Sequence, residues 1–89
     1  MISHKTAKFN KAFERLSKQV QRQAKEAFKL FQQDPYHPSL QFKQVHSTKP
    51  VYSARVSLGY RVVGIRQDDV IVWFWIGPHG EYDKIITRL

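Results

Sequence analysis

Phe9, Ala12, Phe13 and Leu16 recur at helical spacing while Lys8, Lys11 and Arg15 fall on the opposite side of the same wheel, a pattern that predicts an amphipathic helix over residues 6–16. Ser17 then offers an N-cap hydroxyl. A second apolar stripe follows it, Val20, Ala24, Ala27, Phe28 and Phe31, backed by a basic stripe of Lys18, Arg22, Lys25 and Lys29. Two antiparallel helices forming a hairpin are expected. Asp34-Pro35 closes the second helix, because a proline ring drives the residue before it out of the α region, and His37-Pro38 keeps the connection extended.

Beyond Pro38 the period shortens to that of strands. Residues 41–46, 51–57, 60–66 and 70–76 read as four strands, with turns at Leu58-Gly59 and Gln67-Asp68-Asp69. The last of them, Val70-Ile71-Val72-Trp73-Phe74-Trp75-Ile76, is apolar on both alternating faces, which places it inside the sheet rather than at its edge. Strict alternation puts Ile71, Trp73 and Trp75 on one face, with at least one of the two indoles in the core. Residues 82–89 read as a final helical turn or a short strand. No repeat, low-complexity tract or long linker interrupts the chain, so residues 1–89 are read as one domain.

Composition narrows the chemistry. A domain of 89 residues hides only about 60% of the surface its unfolded chain exposes, which rules out a large cofactor-binding fold. Cysteine is absent, so neither disulfides nor a thiolate metal site supply stability, and the 12 aromatic residues must do so. His4, His37 and His46 lack metal-ligand spacing, and no metal or other cofactor is expected. No apolar run approaches the roughly 20 residues of a membrane span, and Met1-Ile2-Ser3-His4-Lys5 has no signal-peptide core; a cytoplasmic protein is expected. The net charge is +8, and residues 1–33 carry eight Lys/Arg against two Glu, six of those eight charges. Such a basic half calls for a polyanion or an acidic partner.

The most informative chemistry lies in the last third. Arg55 and Arg61 flank the predicted hairpin turn, and Gly77-Pro78-His79-Gly80-Glu81-Tyr82-Asp83 follows the last strand. Two guanidiniums able to grip a phosphate, with an imidazole and a phenol able to move protons, are the parts a metal-free ribonuclease needs. Each has an ordinary alternative. Arg61 could pair with Asp68 or Asp69, His79 could serve local loop hydrogen bonds, and the helix stripe could be a solvated face.

In their order along the chain, Asp34-Pro35-Tyr36-His37-Pro38-Ser39-Leu40-Gln41-Phe42-Lys43, Tyr52-Ser53-Ala54-Arg55-Val56, Gly59-Tyr60-Arg61-Val62-Val63-Gly64 and Trp75-Ile76-Gly77-Pro78-His79-Gly80-Glu81-Tyr82-Asp83 resemble toxins of the RelE/ParE superfamily, the toxic half of bacterial type II toxin–antitoxin pairs. That resemblance implies an α+β fold, an N-terminal helical hairpin packed on a four-stranded antiparallel sheet. It also implies a cognate antitoxin, which the basic charge suggests is acidic. Ribonuclease members cut mRNA on the ribosome by attack of a ribose 2′-hydroxyl on the adjacent phosphate; ParE members instead poison DNA gyrase, with no cleavage chemistry of their own. A non-toxic member that only binds a partner or nucleic acid is a third possibility.

Under the ribonuclease reading, Arg61 matches the family's phosphate-stabilising arginine, with Arg55 as its helper. His79 would transfer a proton, Tyr82 would stack on or orient the nucleotide, and Glu81, Asp83 and Lys84 stand in reserve. Lys18, Arg22, Lys25 and Lys29 would contact ribosomal RNA. Two departures stand out: Pro78 replaces the small hydroxyl residue common before the histidine, and the carboxylate base of some members has no match, leaving His46 or Tyr82 to stand in.

Overall fold

Both helices begin at hydroxyl caps. The Thr6 side chain accepts from the Phe9 amide at 3.1 Å to open α1 (Ala7–Glu14), and Ser17 accepts from the Val20 amide at 3.2 Å to open α2 (Lys18–Gln33). Gln21 fixes the hairpin between them, its amide nitrogen lying 3.1–3.3 Å from the carbonyls of Phe13, Glu14 and Leu16 at and just beyond the end of α1. The computed structural model describes residues 1–89. After a single 3₁₀ turn at Pro38–Leu40 come β2 (Lys43–Gln44), β3 (Val51–Ser57), β4 (Tyr60–Gln67), β5 (Val70–Pro78) and α3 (His79–Arg88); β1 (Ile2–Lys5) precedes α1.

The sheet order is β1-β5-β4-β3-β2, antiparallel throughout except that β1 runs parallel to β5, with Ile2 opposite Val70 and Lys5 opposite Trp73. The molecule is thus the expected α+β arrangement with a fifth strand added. Ile2–Lys5 carries no strand signal because all four residues are exposed and only the free edge of β5 recruits them. That recruitment is what makes β5 internal, as its two apolar faces require. The strand expected at 41–46 shrinks to Lys43–Gln44, since Gln41 turns into the left-handed region at φ 48°. The tail expected as a helical turn or strand is the full helix α3.

One face of the sheet carries the main core, where Phe9, Ala24, Phe31, Leu40, Ala54, Val62, Ile71 and Trp73 are all at most 3% exposed. Trp73 is its centre, meeting Phe31 edge to face at 5.5 Å and Phe28 at 6.0 Å. Its indole N–H has no hydrogen-bond partner within the chain.

Trp75 does not share that face. Trp75 pairs with Val63 and Trp73 with Gly64, so Phe74 is the extra residue of a β-bulge that sends the two indoles to opposite sides. Strict alternation therefore fails here. Gly64 permits the bulge: a Cβ there would stand 2.8 Å from the Val72 carbonyl oxygen and 2.9 Å from the Trp73 ring. On the second face Val51, Ser53 and Val63 are buried, while α3, which reaches this face through Tyr82, buries none of its own residues fully.

Candidate functional site

The register of the β3–β4 hairpin sets Arg55 directly opposite Arg61. Like charges in that relation repel, and no carboxylate lies within ion-pair distance of either; the molecule's single ion pair joins the Met1 ammonium to Asp69 at 3.8 Å. Arg61 is half-buried and donates through Nη1 to the carbonyls of Ser57 (3.1 Å) and Tyr60 (3.2 Å), bracing the turn and leaving its other donors unspent. Burial, then the neighbouring Arg55 charge, lower its pKa from the ordinary arginine value, with Tyr82 opposing them. Arg55 reaches the other way, its Nε donating to the Ser39 carbonyl at 3.2 Å.

Helix α3 brings the proton-bearing groups to the same end of the sheet. Pro78 sits at its N-cap with φ −64° and ψ 149°, a geometry the proline ring favours, and makes no side-chain cap bond. The His79 amide instead donates to the Gly59 carbonyl at 2.7 Å, tying the helix start to the tip of the arginine hairpin. His79 and Tyr82, one turn apart, stack with ring centroids 5.8 Å apart and planes 21° from parallel. The Tyr82 hydroxyl donates to Ser53 Oγ at 3.0 Å.

Ser53 is the residue that sequence reasoning missed. It is the one buried polar side chain, 2% exposed, and it fixes where the phenol points. Its only signal was a hydroxyl two positions before Arg55 on the same strand face.

The structure thus brings together Arg55, Arg61, His79 and Tyr82, with Glu81, Asp83 and Lys84 exposed on the same helix. It does not bring His46 there. That ring lies in the β2–β3 loop at the far end of β3, accepting from the amides of Thr48 and Lys49, so it cannot stand in as a base. Lys18, Arg22, Lys25 and Lys29 are exposed on α2 without acidic partners, and Lys29 borders a groove of about 630 Å³ between α2 and β3 that Arg55 also lines. No three His, Asp or Glu side chains converge as a metal site, and no helix is long and apolar enough to cross a membrane.

Chemically, the hairpin end sets two guanidiniums beside an imidazole and a phenol, groups able to hold an anion and to donate or accept protons. Searching curated protein sequences returns no match. In fold the chain is similar to the archaeal RelE of the RelE–RelB complex from Pyrococcus horikoshii, with TM-score 0.69, 23% identity, and 89% of this chain and 94% of that one covered. It is similar also to the RelE of the RelB–RelE antitoxin–toxin complex from Methanococcus jannaschii, with TM-score 0.73, 13% identity and coverage of 92% and 96%. For the isolated E. coli RelE toxin the values are 0.65, 18%, and 98% and 96%. A family model of the ParE-like toxin domain matches residues 18–84, from the first residue of α2 into α3, and the chain belongs to that family.

Proposed function

We propose that this chain is the toxin of a toxin–antitoxin pair and inhibits translation as a ribosome-dependent, metal-free mRNA endonuclease. The observation that carries the reading is the convergence of the unpaired Arg55–Arg61 couple with the His79–Tyr82 stack on one end of the sheet. In the reaction the ribose 2′-oxygen bonds to the adjacent phosphorus as the P–O5′ bond breaks, giving a 2′,3′-cyclic phosphate and a 5′-hydroxyl. The 2′-hydroxyl proton leaves to a base and the 5′-oxygen takes one from an acid. Arg61, helped by Arg55, neutralises the charge gathering on the phosphoryl oxygens. His79 transfers a proton, and Tyr82, held by Ser53, orients the ribose or supports the base. The α2 stripe holds ribosomal RNA, and an antitoxin, as in the RelE–RelB complexes similar in fold, covers the basic surface in the cytoplasm; the charge of that surface calls for an acidic one.

Arg61→Lys keeps the charge but loses the planar fork, so single-turnover cleavage of ribosome-bound mRNA should fall by about 10²-fold, and His79→Ala should act similarly, with ribosome binding unchanged. Reversing Lys18, Arg22 and Lys25 to Glu should do the opposite, weakening binding with cleavage intact. Parent-rate cleavage by His79→Ala together with unchanged binding by the reversals would overturn the assignment. A second reading, a gyrase-directed binding module without nuclease chemistry, is favoured by the match to the ParE-like model. Continued translation with gyrase-dependent DNA breaks in induced cells would establish it instead.

A further inference from the structure

Arg66 lies five residues beyond Arg61 on β4, roughly 17 Å along the strand and on the opposite face, so the cleavage reading gives it no task. Its guanidinium carbon stands 5.3 Å from the centroid of the Tyr52 ring and 5.8 Å from that of Phe42. Those two rings lie 5.1 Å apart and 30° from parallel, and Tyr36 extends the row at 6.0 Å from Phe42. Tyr36 is 64% exposed, a phenol ring left in water beside a cation. Arg66 Nε donates to the Asp68 carbonyl at 3.1 Å, and no carboxylate forms an ion pair with the remaining donors. A concavity of about 390 Å³ opens beside this row, bounded by Gln44, Thr48, Pro50, Tyr52, Arg66 and Asp68.

We propose that this aromatic and guanidinium row is a stacking platform for an unpaired, amino-bearing base of RNA. Stacked planar groups with one cation recognise a flat π-system, and single-stranded RNA is read chiefly in this way. The Asp68 side chain on the rim argues against a bare phosphate site and supplies an acceptor for an exocyclic amino group, which uracil lacks. The neighbouring Tyr36 phenol raises the Arg66 pKa above the ordinary arginine value, against a smaller opposing effect of burial. With +8 net charge the chain already draws RNA in; this platform selects which nucleotide rests on it. It needs no cleavage chemistry and stands whether or not the nuclease reading does.

The test uses 2′-O-methyl hexanucleotides, which lack the attacking hydroxyl, bound to the full chain and titrated across salt. Oligoadenylate should bind more tightly than oligouridylate. Tyr36→Ala, at an exposed position that the fold tolerates, should weaken oligoadenylate binding about tenfold with an unchanged salt slope, the signature of lost stacking. Arg66→Gln should weaken it similarly and lower the slope by about 0.7, one phosphate-strength charge. Asp68→Asn, which keeps a residue tolerant of the left-handed φ of 54° there, should narrow the adenine-over-uracil preference. Equal affinities for the two hexamers, or parent-level binding by both Tyr36→Ala and Arg66→Gln, would overturn the proposal.

Discussion

On the face of the sheet toward α1 and α2, Trp73 is fully buried among Phe28, Phe31 and Phe42, whereas on the face toward α3 a single side-chain hydrogen bond, Tyr82 to Ser53, joins helix to sheet. The first face is closed by packing: eight of its ten core residues are at most 3% exposed. The second is thinly covered and ends in two arginines that repel each other across a strand pair. A small domain has few apolar side chains to spend, and here they are concentrated behind the sheet. The side left lightly built is where an incoming anion finds uncompensated charge, and the energy it gains there was never used to hold the fold.

That contrast breaks first at Trp73. Trp73→Ala or Phe31→Ala should lose about 3–5 kcal/mol, enough to unfold much of a marginal domain, as urea denaturation would show. A loss no larger than that of a surface substitution would mean that the aromatic cluster does not hold the fold. On the other face the expected effects are smaller. Ser53→Ala and Tyr82→Phe should each cost about 1 kcal/mol, and a double-mutant cycle in urea should return a coupling of roughly 0.5–1.5 kcal/mol. Strict additivity would show that α3 is held by other contacts; Ser53→Thr, which keeps the hydroxyl, should restore most of the loss.

The smallest effect should have the opposite sign. Because the pKa of Arg61 is lowered in the folded chain, the unfolded chain holds that proton more tightly, so the charged group weighs against folding. Arginine is protonated in both states throughout the working pH range, so the penalty is fully present at neutral pH and is relieved only as the pH rises through the far alkaline region. Arg61→Gln should therefore leave the melting temperature unchanged or raise it, by roughly 0.2–1 kcal/mol of stability. Inorganic phosphate should raise the Tm of the parent more than that of the variant. A variant clearly less stable than the parent would show that its bracing of the Ser57 and Tyr60 carbonyls outweighs the repulsion.

The α1–α2 hairpin, the β3–β4–β5 meander and the arginine pair were legible because each is written in local periodicity or across one short turn. Features that depend on partners distant in sequence were not. Ile2–Lys5 is a strand only because β5 offers an edge, and the bulge at Phe74 follows from Gly64 on the next strand rather than from the run Val70–Ile76 itself. At the site, Arg55, Arg61, His79 and Tyr82 announced themselves by chemical type. Ser53 did not, since a serine in a strand acquires meaning only when a phenol from 29 residues onward reaches it.

The parallel pairing of Ile2–Lys5 with Val70–Trp73 also bears on the order in which the molecule can form. A helical hairpin and a three-stranded meander can each gather from neighbours in sequence, but the strand that seals the edge must wait for a loop of more than 60 residues to close. α3, held by a Gly59 carbonyl and a Ser53 hydroxyl that exist only once the hairpin has set, waits on the hairpin as well. His79 and Tyr82 therefore join the arginine hairpin only after it has formed, and a partly folded chain would carry its charge before it carried its chemistry.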